Sequence, residues 1–176
     1  MKKLLSSVIA AFVIIISHAQ EVRYFDASEL NVIGKAIPTS KTYTRIDTSA
    51  YKFDSNIIEE FCCHSTGLAV LFATDSPFIK AKWQTSPKNA SENMTAIAQK
   101  GLDLYIRQNG KWVFAGVGRP QMDKGPEYAH HEGTIVKSMA PGRKECLLYL
   151  PLYDRLDSLF IGVSEDSYVE PIDNPF

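Results

Sequence analysis

Leu102-Asp103-Leu104-Tyr105-Ile106-Arg107, followed by Asn109-Gly110 and then Lys111-Trp112-Val113-Phe114-Ala115-Gly116-Val117, is the stretch that decides the fold. In the first run Leu102, Leu104 and Ile106 alternate with Asp103, Tyr105 and Arg107, the period-two pattern of a half-buried strand. Asn-Gly between two such runs fits a type I′ turn, whose central residues both take positive φ. The stretch reads as a β-hairpin with one apolar face.

Outward from the hairpin, Ile79-Lys80-Ala81-Lys82-Trp83-Gln84 repeats the alternation, with Ile79, Ala81 and Trp83 facing a core. Leu68 to Ala73 is apolar throughout, which predicts a central strand covered on both faces. Further strands are expected at Tyr43 to Ile46, Thr134 to Lys137, Glu145 to Leu150 and Leu159 to Val163. Thr74-Asp75-Ser76-Pro77, Gly118-Arg119-Pro120 and Ala140-Pro141-Gly142 punctuate them. No stretch carries a sustained helical stripe, and Asn93 to Lys100 has room for one helical turn or two. The pattern predicts an all-β fold, an antiparallel two-sheet β-sandwich of jelly-roll type.

The chain has 176 residues, 45% hydrophobic and 22% charged, with 19 Lys+Arg against 20 Asp+Glu. Those proportions exclude a disordered or collagen-like chain, and the scattered basic residues exclude a nucleic-acid partner. Met1-Lys2-Lys3, the apolar run Leu4 to Ile16 and Ser17-His18-Ala19 have the layout of a secretory signal peptide over residues 1–19. Export to the periplasm or the exterior of a bacterial cell is the expectation. No second apolar run approaches the roughly 20 residues of a spanning helix, so no membrane contact is expected after signal cleavage. Residues 20–40 read as an approach segment, 41–169 as the sandwich, and 170–176, with Pro171 and Pro175, as a linker stub.

Candidate chemistry is sparse. Ser164 follows a strand in Gly162-Val163-Ser164, but Asp166 breaks the G-x-S-x-G pattern. None of His64, His130 and His131 has an aspartate three residues before it. Cys62-Cys63-His64 and His130-His131-Glu132 hold metal-ligand residue types, yet neighbours on a strand point to opposite faces. Neither zinc-finger spacing nor H-E-x-x-H occurs, so no metal or cofactor is expected, and the histidine pair reads as a solvated loop. Of three cysteines, Cys62 or Cys63 could pair with Cys146, or all three serve as small hydrophobes. Glu59, Glu60, Asp123 and Glu127 read as solvated. Asp103, mid-strand beside Tyr105 and Arg107, is either half of a cross-strand polar pair or a contact facing a partner. Trp83, Trp112, Tyr105, Tyr149 and Tyr153 are the aromatics available to a sugar ring, although Trp83 falls on a core face. Asn89 and Asn93 head glycosylation sequons. No constellation makes an active site.

Gly101-Leu102-Asp103-Leu104-Tyr105 resembles the signature of the GxDLY domain that precedes the catalytic domain in bacterial SGNH/GDSL-type esterases. Tyr43-Thr44-Arg45-Ile46, His64-Ser65-Thr66-Gly67-Leu68, Phe72-Ala73-Thr74-Asp75 with the Ile79 to Trp83 strand, Asn93-Met94-Thr95, Gly110-Lys111-Trp112 and Tyr149-Leu150-Pro151-Leu152-Tyr153 also fit in order. The likeness spans about residues 40 to 170. It implies a β-sandwich accessory domain, without a nucleophile of its own, packing against an SGNH catalytic domain of a secreted esterase on acylated carbohydrate. The family's Ser, Gly, Asn and His blocks do not occur in these 176 residues, so no catalytic residue is carried over. Gly101, Asp103, Tyr105 and Arg107, with Asn93 and Met94, are the candidate docking residues. Two other readings remain: a stand-alone carbohydrate-binding module, which requires coplanar exposed aromatics, and a minimal hydrolase, which requires a Ser or Cys at a histidine nitrogen.

Overall fold

The computed structural model describes residues 21–35, 37–89, 91–125 and 128–175. The leader, Ala90, Glu127 and Phe176 lie outside that set. Among the described residues the chain forms β1 (Val22–Asp26), β2 (Asn31–Ile33), α1 (Asn56–Cys62), β3 (Ala69–Thr74), β4 (Ile79–Thr85), α2 (Ala96–Lys100), β5 (Leu102–Gln108), β6 (Lys111–Gly118), β7 (His130–Val136), β8 (Lys144–Tyr149), β9 (Leu156–Ser164) and β10 (Val169–Pro171). Two antiparallel sheets result. One has four strands in the order β1-β9-β4-β7. The other has six: the path β10-β3-β8-β5-β6, with β2 also paired to β3. The all-β sandwich is as expected.

The hairpin turns as its sequence dictates, with φ of 50° at Asn109 and 77° at Gly110 and Gln108 opposite Lys111. Its register slips once: Leu104 faces Gly116 while Tyr105 faces Phe114, so Ala115 is an extra residue. Such a bulge bends the strand locally. Beyond the bulge β6 comes against β7, where a Cβ on Gly116 would lie 2.2 Å from the Ile135 carbonyl oxygen. Only glycine allows that approach.

The core lies between the sheets. Leu68, Val70, Phe72, Leu102, Leu104, Ile106, Cys146 and Leu148 meet Ile79, Ala81, Trp83, Leu159, Ile161 and Val163 from the other layer. Leu102, Leu104, Ile106, Ile79, Ala81 and Trp83 are the residues that the alternation assigned inward, and burying each large one stabilises the fold by about 1.5–3 kcal/mol. β3 is buried at every position. Its outward Ala69 and Leu71 pack with Leu147 under Ile33, Tyr105, Trp112 and Ile172.

Four expectations need correction. Tyr43 to Ile46 is not a strand: it is turn and bend, although Tyr43 itself plugs the core. Residues 20–40 are not a loose approach, because β1 adds to the edge of β9 and β2 to the edge of β3. β10 takes the start of the expected linker into the six-stranded sheet, Pro171 sitting on an edge strand where a missing N–H is tolerated. His131 is no solvated loop residue. It is buried on β7, and only His130 beside it faces out. Cys62, Cys63 and Cys146 are free thiols, two of them buried. Burial pushes the Cys146 thiol up to about 12.

Candidate functional site

The GLDLY run begins with a steric requirement. A Cβ on Gly101 would lie 2.4 Å from the Ile97 carbonyl oxygen, the same atom that accepts the Gly101 N–H at 2.9 Å. Glycine lets α2 end and β5 begin without an intervening loop. Just before it, Lys100 is fully buried, and its ammonium lies 3.3 Å from the Asp154 carboxylate, which is also buried. The ammonium donates to the Ser86 carbonyl at 2.7 Å, and the Ser86 hydroxyl donates to Asp154. Trp83 Nε1–H donates to the Lys100 carbonyl at 2.9 Å, which fixes that indole in the core. Asp154 follows Tyr149-Leu150-Pro151-Leu152-Tyr153, so this pair fastens two motif segments together. Sequence reading missed it. The available signal was a lysine two positions before the inward-facing Leu102, in phase with the buried face, where a free ammonium would be costly.

Past the glycine, β5 presents Asp103, Tyr105 and Arg107 on the outer face of the six-stranded sheet. Tyr105 meets Tyr149 and Phe114 with ring centroids 5.7 Å away in both cases and interplanar angles of 82° and 75°. Phe114 is 57% exposed and Tyr149 39%. Arg107 bonds Glu145 at 3.0 Å, Arg143 bonds the same carboxylate at 3.0 Å and reaches Glu170 as well. Arg143 first, then Arg107, holds Glu145 below the usual carboxylate range. Asp103 stands opposite Tyr149 on one side and Val117 on the other, and has no hydrogen bond or ion pair with any described residue. Burial pushes its carboxyl up. The cross-strand polar partner belongs to Arg107, not to Asp103.

After β10 the chain turns onto this same face. Asn31 Nδ2–H donates to the Ile172 carbonyl at 3.1 Å, and Ile172 packs on the Leu71–Leu147 cluster. Residues 171–175 then border a shallow cleft with Arg107, Arg143 and Glu145. Asn93 and Met94 are elsewhere, in the turn ahead of α2, where Met94 N–H donates to Ser91 and Thr95 caps the helix. The structure gathers Asp103, Tyr105 and Arg107 but does not bring those two to them.

Among the described residues, the hydroxyl that meets a histidine ring nitrogen is that of Thr85, 3.2 Å from His131 Nε2. Thr85 is fully buried, which denies it a substrate. No group of three or more metal-ligating side chains occurs among them, and no helix is long and apolar enough to cross a membrane.

No curated protein matches. A crystal structure described as that of a GDSL-like lipase from Bacteroides ovatus ATCC 8483 is similar over 89% of this chain and 44% of its own, with a TM-score of 0.83 and 44% identity. The salicylyl-acyltransferase SsfX3 from a tetracycline biosynthetic pathway shares the fold alone: TM-score 0.60 and 16% identity, over 89% of this chain and 43% of the other. The chain thus spans less than half the length of each of these two solved chains. The family model described as GxDLY, the N-terminus of Esterase_SGNH_hydro-type, matches residues 22–169, and the chain belongs to that family.

Proposed function

We propose that this chain is the non-catalytic accessory domain of a secreted SGNH-type hydrolase acting on acylated carbohydrate, and that the outer face of its six-stranded sheet packs against the catalytic domain. The observation that carries the reading is the Tyr149–Tyr105–Phe114 ladder, exposed at both ends, with Asp103 beside it unpartnered among the described residues, on the face that Ile172 to Pro175 crosses. Exposed aromatics around a lone carboxylate suit a protein surface that brings apolar cover and a cationic donor. They do not suit a sugar ring at that place, because the rings stand edge to face and not coplanar. Trp83, also considered for stacking, is buried and bonded.

Two measurements test the proposal. The chain alone should not turn over short-chain p-nitrophenyl esters above the buffer rate. Turnover comparable to that of the full-length Bacteroides ovatus relative would overturn the accessory reading. The chain should also bind the separately produced C-terminal half of that relative, and Asp103→Ala with Tyr105→Ala should weaken the complex by at least about tenfold. Unchanged binding would rule out this face.

A further inference from the structure

The opposite face of the sandwich holds a groove of about 620 Å³ on the outer side of the four-stranded sheet. Its floor is a grid set by strand register. Phe160 on β9, Lys82 on β4 and Glu132 on β7 stand in one cross-sheet row, and Ser158, Gln84 and His130 stand in the next. Neighbouring strands lie about 4.8 Å apart and same-face residues about 6.8 Å apart along a strand, a spacing that matches one to two sugar rings. Phe160 is 37% exposed, and Tyr128 stands at the rim in edge contact with His130. The Gln84 amide and the Ser158 hydroxyl have no hydrogen-bond partner among the described residues.

Several features make this floor preformed. Tyr24 O–H donates to Glu132 at 2.8 Å, and the Lys82 ammonium sits 4.2 Å from the Tyr24 ring centre and 3.8 Å from the same carboxylate. Gln121 is locked at the side: its N–H donates to His131 Nδ1 at 3.2 Å, and its Oε1 accepts the Glu132 N–H at 3.3 Å. Lys82 is paired with Glu132, which leaves Lys124 as the one uncommitted lysine among the described lining residues, and a single cation makes a poor clamp for a phosphate or sulfate. The floor is too open and too polar for an apolar ligand. What it offers is one exposed ring with a free amide, a free hydroxyl and an imidazole at grid distance. A polyhydroxylated ring, with a C–H face and a rim of hydroxyl groups, matches that set.

We propose that this groove is a saccharide-binding site, in which Phe160 takes the C–H face of a pyranose and Gln84, Ser158 and His130 hydrogen-bond its hydroxyl rim. The site is independent of the docking face, and it would hold the carbohydrate chain whose acyl groups the catalytic domain removes only if that reading also stands.

The test is a titration of the 15N-labelled chain with xylohexaose, cellohexaose, mannohexaose and hexagalacturonate, followed by NMR. At least one should shift the amides of residues 82–84 and 158–160 saturably, and Phe160→Ala and Gln84→Ala should each weaken that binding by about tenfold or more. Tyr105→Ala, on the other sheet, should leave it unchanged while still weakening the complex with the catalytic half. The proposal is overturned if none of the four sugars shifts those amides at about 10 mM, or if both groove variants, checked as folded by their spectra, bind like the parent. Loss of docking with retained sugar binding would sink the functional reading alone.

Discussion

Lys100 and Asp154 form an ion pair sealed from solvent, 3.3 Å apart, at the junction where α2 gives way to β5. Removing one partner of such a pair leaves the other charged without water or counterion. Asp154→Ala is expected to cost about 3–5 kcal/mol, read as a lower midpoint in urea unfolding. Replacing both, as Lys100→Met with Asp154→Leu, should recover a large part of that loss. A single variant as stable as the parent would show that the pair is not structural.

Asp103 behaves in the opposite sense. Its folded carboxyl titrates above the unfolded one, because burial raises it and no cation among the described residues answers. A raised carboxylate opposes folding when ionised, so stability from this group rises as pH falls through its folded value. Asp103→Asn should therefore leave the isolated chain as stable as the parent or slightly more so near neutral pH. The same variant should weaken docking. Clear destabilisation of the isolated domain would mean that Asp103 serves the sheet and not a partner.

His131 gives the chain an acid limit. Burial first, and the Lys100 charge second, pushes its imidazole down to about 4 from 6.5. The unfolded chain takes up this proton before the folded one does. Stability is thus whole above about 6.5 and declines as pH falls toward 4, by at most about 3 kcal/mol from this group. In His131→Gln the dependence of the urea midpoint on pH across that window should flatten. An unaltered profile would place the acid sensitivity elsewhere.

Gly101→Ala tests the opening residue of the signature. The added methyl would press on the Ile97 carbonyl, which is backbone and cannot swing aside. A loss of about 1–3 kcal/mol is expected. Gly110→Ala bears on a different cause, the positive φ of the hairpin turn, and has open space around it. If the first change costs nothing, the glycine is there for another reason.

How much of this was legible depends on where each element draws its stability. The hairpin and the strand around Ala81 declare themselves because their alternation repeats the burial of the two-sheet core, and the strand around Val70 because its unbroken apolar run is covered on both faces. β1 has no such advantage. Its Val22-Arg23-Tyr24-Phe25-Asp26 is a strand because β9 offers an edge, a tertiary cause that local pattern does not carry. α1 was missed for a related reason: Ile57, Ile58 and Phe61 are exposed, so no apolar stripe faces inward. Tyr43 to Ile46 failed in the other direction, since its one deeply buried ring resembles a strand residue in sequence but descends from a turn. At the candidate site the shared face of Asp103, Tyr105 and Arg107 was readable from period two. The choice between a paired and an unpaired Asp103 was not, because it turns on Glu145, which lies on a strand far away in sequence.

β2 and β10 lie end to end along the same side of β3. A pull on the chain from beyond Pro175 would therefore load the Asn31–Ile172 bond and then three residue pairs, Val169 to Pro171 against Phe72 to Thr74. Opening that short seam would bare the rim of the central strand and leave the pairing of β3 with β8 untouched.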